Sequence, residues 1–153
     1  MNPEMPIREI MTTQLITAVP NTSMKEVQSV FARHNIHHLP VVDECEAIIG
    51  IISKEDLYKI THLLALNTSG PTYSEKMFRT LTARDLMTPN PMVLDPDDSI
   101  GLAADIFLAN KFHALPIVEN DRLVGIVTTH DLLAFAFDKT GFNSGETPLH
   151  LLD

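Results

Sequence analysis

Two short motifs carry the residues best suited to hold a ligand. Ser53-Lys54-Glu55-Asp56 and Thr128-Thr129-His130-Asp131 each set a hydroxyl three residues before a carboxylate, directly after an apolar run. This is the spacing of a helix N-cap and its third residue. The hydroxyl accepts from backbone N–H groups, and the helix start adds free donors and the positive end of its dipole. Such a start can hold a phosphate, and a carboxylate beside it can accept from the vicinal hydroxyls of a ribose, as in dinucleotide-binding folds. The same spacing also describes a plain cap, and capping chemistry alone favours that reading. Lys54 lies inside the first motif, whereas Thr129 and His130 fill the second, so the first is the better host for an anion.

His34, His37 and His38 form a second cluster. A His pair three or four residues apart can ligate a metal on a helix. Here the chain is leaving its helix, and no carboxylate or thiol stands within the segment as a further ligand. Surface or cleft histidines are the preferred reading, with His37 and His113 able to make binding pH-sensitive near neutrality. Cys45, the single cysteine, sits in the turn Asp43-Glu44-Cys45-Glu46. Its acidic neighbours disfavour a thiolate, and being alone it excludes an intrachain disulfide. The sequence holds no Gly-x-Ser-x-Gly, no phosphate-loop Gly-Lys-Ser/Thr and no His-Glu-x-x-His. Neither a catalytic residue nor a metal ligand is expected.

The elements that must position these residues occur twice. Arg8-Glu9-Ile10-Met11-Thr12 is echoed by Arg84-Asp85-Leu86-Met87-Thr88, and the same offset pairs Pro20 with Pro96, Ser23 with Ser99 and Phe31 with Phe107. It pairs residues 37–42 with 113–118 and, after one extra residue in the first copy's loop, 50–57 with 125–132. Each copy begins with a short extended segment, 15–19 or 92–94, ended by a proline. A helix follows, with Met24, Val27, Val30 and Phe31, or Ile100, Ala103, Ile106 and Phe107, on one face. Ser23, with Glu26 three residues on, marks the first helix start. Runs 39–42 with 47–52, and 115–118 with 123–127, have hairpin spacing. A last helix starts after Ser53 or Thr128.

The fold class is therefore α/β: tandem β-α-β-β-α repeats packed as a pseudo-twofold pair. The organisation is repeat 1 over residues 7–60, a connector over 61–83, repeat 2 over 84–138 and a tail over 139–153. A unit of this size buries too little to stand alone, so the copies should pack on each other. Residues 73–81 read equally as a short helix or an extended connector. The tail, with Gly141, Gly145 and Pro148, reads as loosely held.

Of 153 residues 44% are hydrophobic and 20% charged, which excludes overall disorder. Basic residues number 11 and acidic ones 20, a net of −9. That surface repels phosphate backbones and anionic lipid, so neither nucleic acid nor membrane is an expected partner. Residues 7–60 carry five basic and seven acidic side chains, residues 84–138 three and nine. The apolar run 47–52 falls far short of the ~20 residues of a membrane span, and the first residues are acidic where a signal peptide is apolar. A cytoplasmic location is expected.

The repeated unit resembles the CBS domain, and the pair resembles a Bateman module. The resemblance covers residues 7–138. It rests on Leu39-Pro40-Val41-Val42-Asp43, on Gly50-Ile51-Ile52-Ser53-x-x-Asp56 and on their counterparts around Leu115-Pro116 and Gly125 to Asp131. It implies a regulatory sensor of adenine nucleotides or S-adenosylmethionine, with two related clefts between the copies and frequent pairing into a flat dimer. By resemblance, adenine lies against Thr17, Ala18, His37, His38 and Pro40 in one copy and Val93, Leu94, His113, Ala114 and Pro116 in the other. Ser53, Lys54 and Asp56, and Thr128, His130 and Asp131, complete the two nucleotide sites. AMP is the favoured ligand, with ADP, ATP or S-adenosylmethionine as alternatives, since the motifs hold one lysine between them.

The favoured function is a stand-alone regulatory module that signals to a partner protein, not an enzyme. The alternative is a ligand-independent dimerisation module. Leu57, Ile60, Leu63 and Leu64, with Leu132, Leu133, Phe135, Ala136 and Phe137, give the last helices an apolar face that suits a homodimer. The 139–153 tail is expected to be able to drape over the partner.

Overall fold

The computed structural model describes residues 2–66 and 71–138; the tail 139–153 lies outside them. A 3-10 turn (Ile7–Glu9) leads into α1 (Met24–Arg33), β1 (His38–Val42), β2 (Ile48–Ser53) and α2 (Lys54–Ala65). Then come α3 (Pro71–Thr80), α4 (Ala83–Leu86), the two-residue β3 (Thr88–Pro89), α5 (Ile100–Ala109), β4 (Ala114–Glu119), β5 (Arg122–Thr128) and α6 (Thr129–Asp138).

Local chemistry explains these elements. Ser23 and Glu26 close a capping box at α1: Glu26 N–H donates to Ser23 Oγ and Ser23 N–H to the Glu26 carboxylate, both at 3.2 Å. Met24, Val27 and Phe31 are buried along one helix face, and Ile100, Ala103 and Phe107 repeat the pattern on α5. β4 and β5 pair antiparallel up to Glu119–Arg122, so Asn120 and Asp121 form the whole loop. Their φ values of 51° and 64° give the type I′ turn that matches strand twist. The β1–β2 turn is longer, and the Asp43 carboxylate organises it by accepting from the backbone N–H of Cys45 (2.8 Å) and Ala47 (3.0 Å).

The short extended segments are slighter than the sequence suggests. Each makes a single parallel bridge, Ala18 to Val41 and Leu94 to Ile117. Pro20 and Pro96, which cannot donate, end the ladder there. Of the expected connector 61–83, residues 61–65 continue α2 instead, and Pro71–Thr80 form a helix, α3, packed on α1 and α2.

The copies do not share one core. One cluster gathers Met24, Val27, Phe31, Leu39, Val41, Ile52 and Leu57 with Ala83 and Leu86. The other gathers Leu94, Ala103, Phe107, Leu115, Ile117 and Val127 with Ile7. The leader segments are exchanged: each packs against the other copy's sheet and helix. Ala83 and Arg84 N–H donate to Thr22 (2.7 Å) and Pro20 (3.1 Å), while Ile7 and Arg8 donate to Asp98 (2.8 Å) and Pro96 (3.0 Å). β3 pairs with β2, Thr88 opposite Ile51, and Thr12 bridges Ile126 in the same way.

The motif glycines belong to this exchange. A Cβ on Gly50 would lie 2.7 Å from Met87 Cγ, and one on Gly125 would lie 2.7 Å from Met11 Sδ. Each glycine admits the other copy's methionine onto the sheet.

Candidate functional site

Both hydroxyl–carboxylate motifs begin a helix. Asp56 N–H donates to Ser53 Oγ at 3.0 Å and Asp131 N–H to Thr128 Oγ1 at 3.1 Å. The next backbone donors tie these helix starts to the turns before β1 and β4. Lys54 N–H gives to the His37 carbonyl (2.8 Å), and Thr129 N–H to the His113 carbonyl (3.0 Å). Sequence-distant members of each predicted site are thereby brought together.

The carboxylates differ in what they already hold. Asp131 Oδ2 accepts from Thr128 N–H at 2.9 Å, completing a reciprocal cap. Burial pushes the Asp131 carboxyl above its ordinary pKa, against the lowering effect of its Thr128 hydrogen bonds and of nearby His130. Among the described residues the Asp56 carboxylate accepts no hydrogen bond, although it is half-buried at the helix start. Lys54 Nζ lies 5.9 Å from the centre of the Tyr58 ring, a cation–π distance. Tyr58 escaped the sequence reading; the signal was its position one helical turn beyond Lys54.

The histidines of both copies converge. His38 is half-buried, and burial is the main cause that holds its pKa below the ordinary value. Charge on His37 and on His113 adds to the lowering, and Asp56 opposes it. The turns of the two copies therefore lie within electrostatic reach of one another and of Asp56. His37, His113 and His130 are exposed.

The remaining predicted contacts line the same turns. Ala18 N–H donates to the Pro40 carbonyl (2.9 Å) and Leu94 N–H to the Pro116 carbonyl (3.1 Å). Ala18, Leu94, Pro40, Ala114 and Pro116 are buried, so their side chains serve the packing of each copy. Thr17 and Val93, the residues before Ala18 and Leu94, are exposed. Among the described residues no group of three His, Cys, Asp or Glu side chains is placed to hold a metal, and no helix is long and apolar enough to cross a membrane. Cys45 is exposed.

Two pseudo-symmetric α/β repeats, each ending in a helix capped by a hydroxyl three residues before an aspartate, define a tandem-repeat module. The CBS domain model matches residues 7–62 and 83–138, and the chain belongs to the CBS domain family, as a CBS pair. It is similar to CBSX2 of Arabidopsis thaliana, solved in complex with AMP: 27% identity, TM-score 0.73, over 88% of this chain and 97% of that one. It is similar also to the CBS domain pair of protein MJ0100, solved with 5′-methylthioadenosine and S-adenosyl-L-methionine: 30% identity, TM-score 0.72, over 90% and 99%. An L-aspartate semialdehyde sulfurtransferase of Methanocaldococcus jannaschii is 31% identical over 82% of this chain but only 22% of its own length. The chain spans less than two thirds of this and other curated relatives.

Proposed function

We propose that this CBS pair binds an adenosine mononucleotide, AMP in preference to ATP, where Ser53, Lys54 and Asp56 meet the His37–His38 turn, and that the bound state regulates a partner protein. The observation that carries this is Asp56: a half-buried carboxylate at a helix start, accepting no hydrogen bond among the described residues. A ribose diol supplies the two donors it lacks. The start of α2 and Lys54 suit a single phosphate. The AMP and S-adenosylmethionine complexes of similar CBS pairs support an adenosine ligand. The preference for AMP rests on charge, since a chain of net −9 with one lysine in its motifs offers little to further phosphates. Titration calorimetry with AMP, ADP, ATP and S-adenosylmethionine tests it. AMP is expected to bind tightest, and ATP binding tightest without Mg²⁺ overturns the charge argument.

A second reading, association without a ligand, is favoured by the exposure of Tyr58, Leu63 and Leu66 along α2. It predicts that none of the four compounds binds. Both readings include a homodimer, a cytoplasmic location and no catalytic turnover by this chain.

A further inference from the structure

The repeats differ at a place that neither the caps nor the hairpins use. In the first repeat α3 packs across α1 and α2, and Phe78 and Leu81 are partly buried against the first core. The Leu81 carbonyl accepts from Met24 N–H at 2.9 Å. The matching bond in the second repeat runs from Ile100 N–H to the Met5 carbonyl at 2.8 Å, and Gly101 N–H gives to the Pro3 carbonyl at 2.8 Å. Residues 2–4 thus run where α3 lies in the first copy. An apolar groove of about 220 Å³ opens there between Ile100, Gly101 and Ala104 of α5 and Leu132, Leu133 and Ala136 of α6, with Pro3 at one end.

At the matching positions the first repeat carries larger, polar residues. Lys25, Gln28 and Thr61 stand where Gly101, Ala104 and Ala136 stand, and Gln28 Nε2 donates to Thr61 Oγ1 at 3.5 Å across the gap between α1 and α2. Small residues in the second copy leave that gap open and wholly apolar.

We propose that this groove is the docking site of the chain's own residues 149–152, Leu-His-Leu-Leu. The segment follows α6, the helix that forms one wall. From Asp138 to Leu149 an extended chain reaches up to ~36 Å, whereas the return along α6 from Asp138 to Leu132 is only ~9 Å. Gly141 and Gly145 permit the reversal. Three of the four residues in the segment are leucine, which matches a wall without polar groups. The volume suits a leucine side chain inserted from the segment, since an apolar cavity of about 150 Å³ accepts a benzene.

Methyl NMR of the full chain tests this. A nitroxide is attached to Asp153→Cys in a Cys45→Ser background, with leucine and alanine methyls labelled. The methyl signals of Leu132, Leu133 and Ala136 are expected to lose most of their intensity while Leu39 keeps its own. Leu151→Ser with Leu152→Ser should restore the groove signals. Full intensity at the groove overturns the proposal, as does a loss that the double variant leaves unchanged. Mixing labelled chains lacking cysteine with unlabelled nitroxide chains separates the sources. With the nitroxide chains in large excess, a loss of equal extent assigns the groove to a second copy and overturns docking in the same chain.

Discussion

Asp56 and Asp131 occupy matching positions, yet of the two only the Asp131 carboxylate accepts a hydrogen bond among the described residues. Asp131 serves its own helix start through Thr128, whereas in the proposed site Asp56 offers both oxygens to the ligand. Asp56→Ala should therefore weaken adenosine binding roughly ten- to a hundredfold, the loss of about 1.5–3 kcal/mol of hydrogen bonding to a charged group. Asp131→Ala should lower Tm by the ~1 kcal/mol of a lost cap and change affinity less. Calorimetric titration and thermal melts of both variants separate these outcomes; equal losses of affinity would make the two sites equivalent. His38 adds a pH dependence. Burial depresses its pKa in the folded state below the ordinary 6.5, so the unfolded chain binds more protons between the two values. Its contribution to stability is complete above 6.5 and is lost as pH falls through the folded value. Asp131 works with the opposite sign and from a lower range: its raised pKa gives stability below 3.8 that is lost as pH rises through the folded value. Tm should fall on mild acidification from neutrality, and His38→Gln should flatten that slope; an unchanged slope would remove His38 as its source. The hydroxyl–carboxylate spacing was legible in the sequence because capping chemistry has a fixed register. The asymmetry was not, since both motifs use the same residue types and only the geometry at Thr128 tells them apart.

At the scale of elements, the exchange of leaders does more than the hairpins to join the repeats. Met11 lies over Gly125 of the opposite copy, and Met87 over Gly50. Gly125→Val should force Met11 from the sheet and cost about 1–3 kcal/mol, the usual range for overpacking. The measurement is a denaturant titration, and Met11→Ala in the same chain should recover part of the loss by making room. A Gly125→Val melt indistinguishable from the unaltered chain would mean that the leader does not need this contact. The repeat itself, its capped helices and its hairpins were legible because two copies carry the same periodicity and the same turn chemistry. The exchange was hidden for the same reason: Arg8 to Thr12 and Arg84 to Thr88 have nearly one pattern, so either leader suits either sheet. Residues 73–81 read two ways because Ser74, Glu75, Lys76, Arg79 and Thr80 dilute the apolar period; contact with α1 and α2 decides for helix.

For the whole molecule, the exchanged leaders bind two cores into one body, and α2 and α6 each carry apolar residues on its surface. The apolar residues of these helices divide in two. Leu57 and Phe135, 2% and 7% exposed, fill the interior, so a charge at Phe135 would unfold the chain and could not report on an interface. Tyr58 and Leu63 on α2 and Leu66 at its C-cap are 60%, 67% and 63% exposed. Exposed apolar residues gathered on one element suit association, which on a chain of net −9 must overcome like-charge repulsion. A self-complementary surface closes most simply about a twofold axis. Light scattering at micromolar concentration should therefore give twice 17.0 kDa. Leu63→Glu should give the single-chain mass with its fold intact by circular dichroism, because a charge at an exposed position costs the isolated chain little. Lys111→Gln, which also makes the net charge one unit more negative at an exposed site outside α2, should leave the dimer whole. A 17.0 kDa species for the unaltered chain would refute the dimer. Dissociation by both variants would refer the effect to net charge and not to the α2 surface.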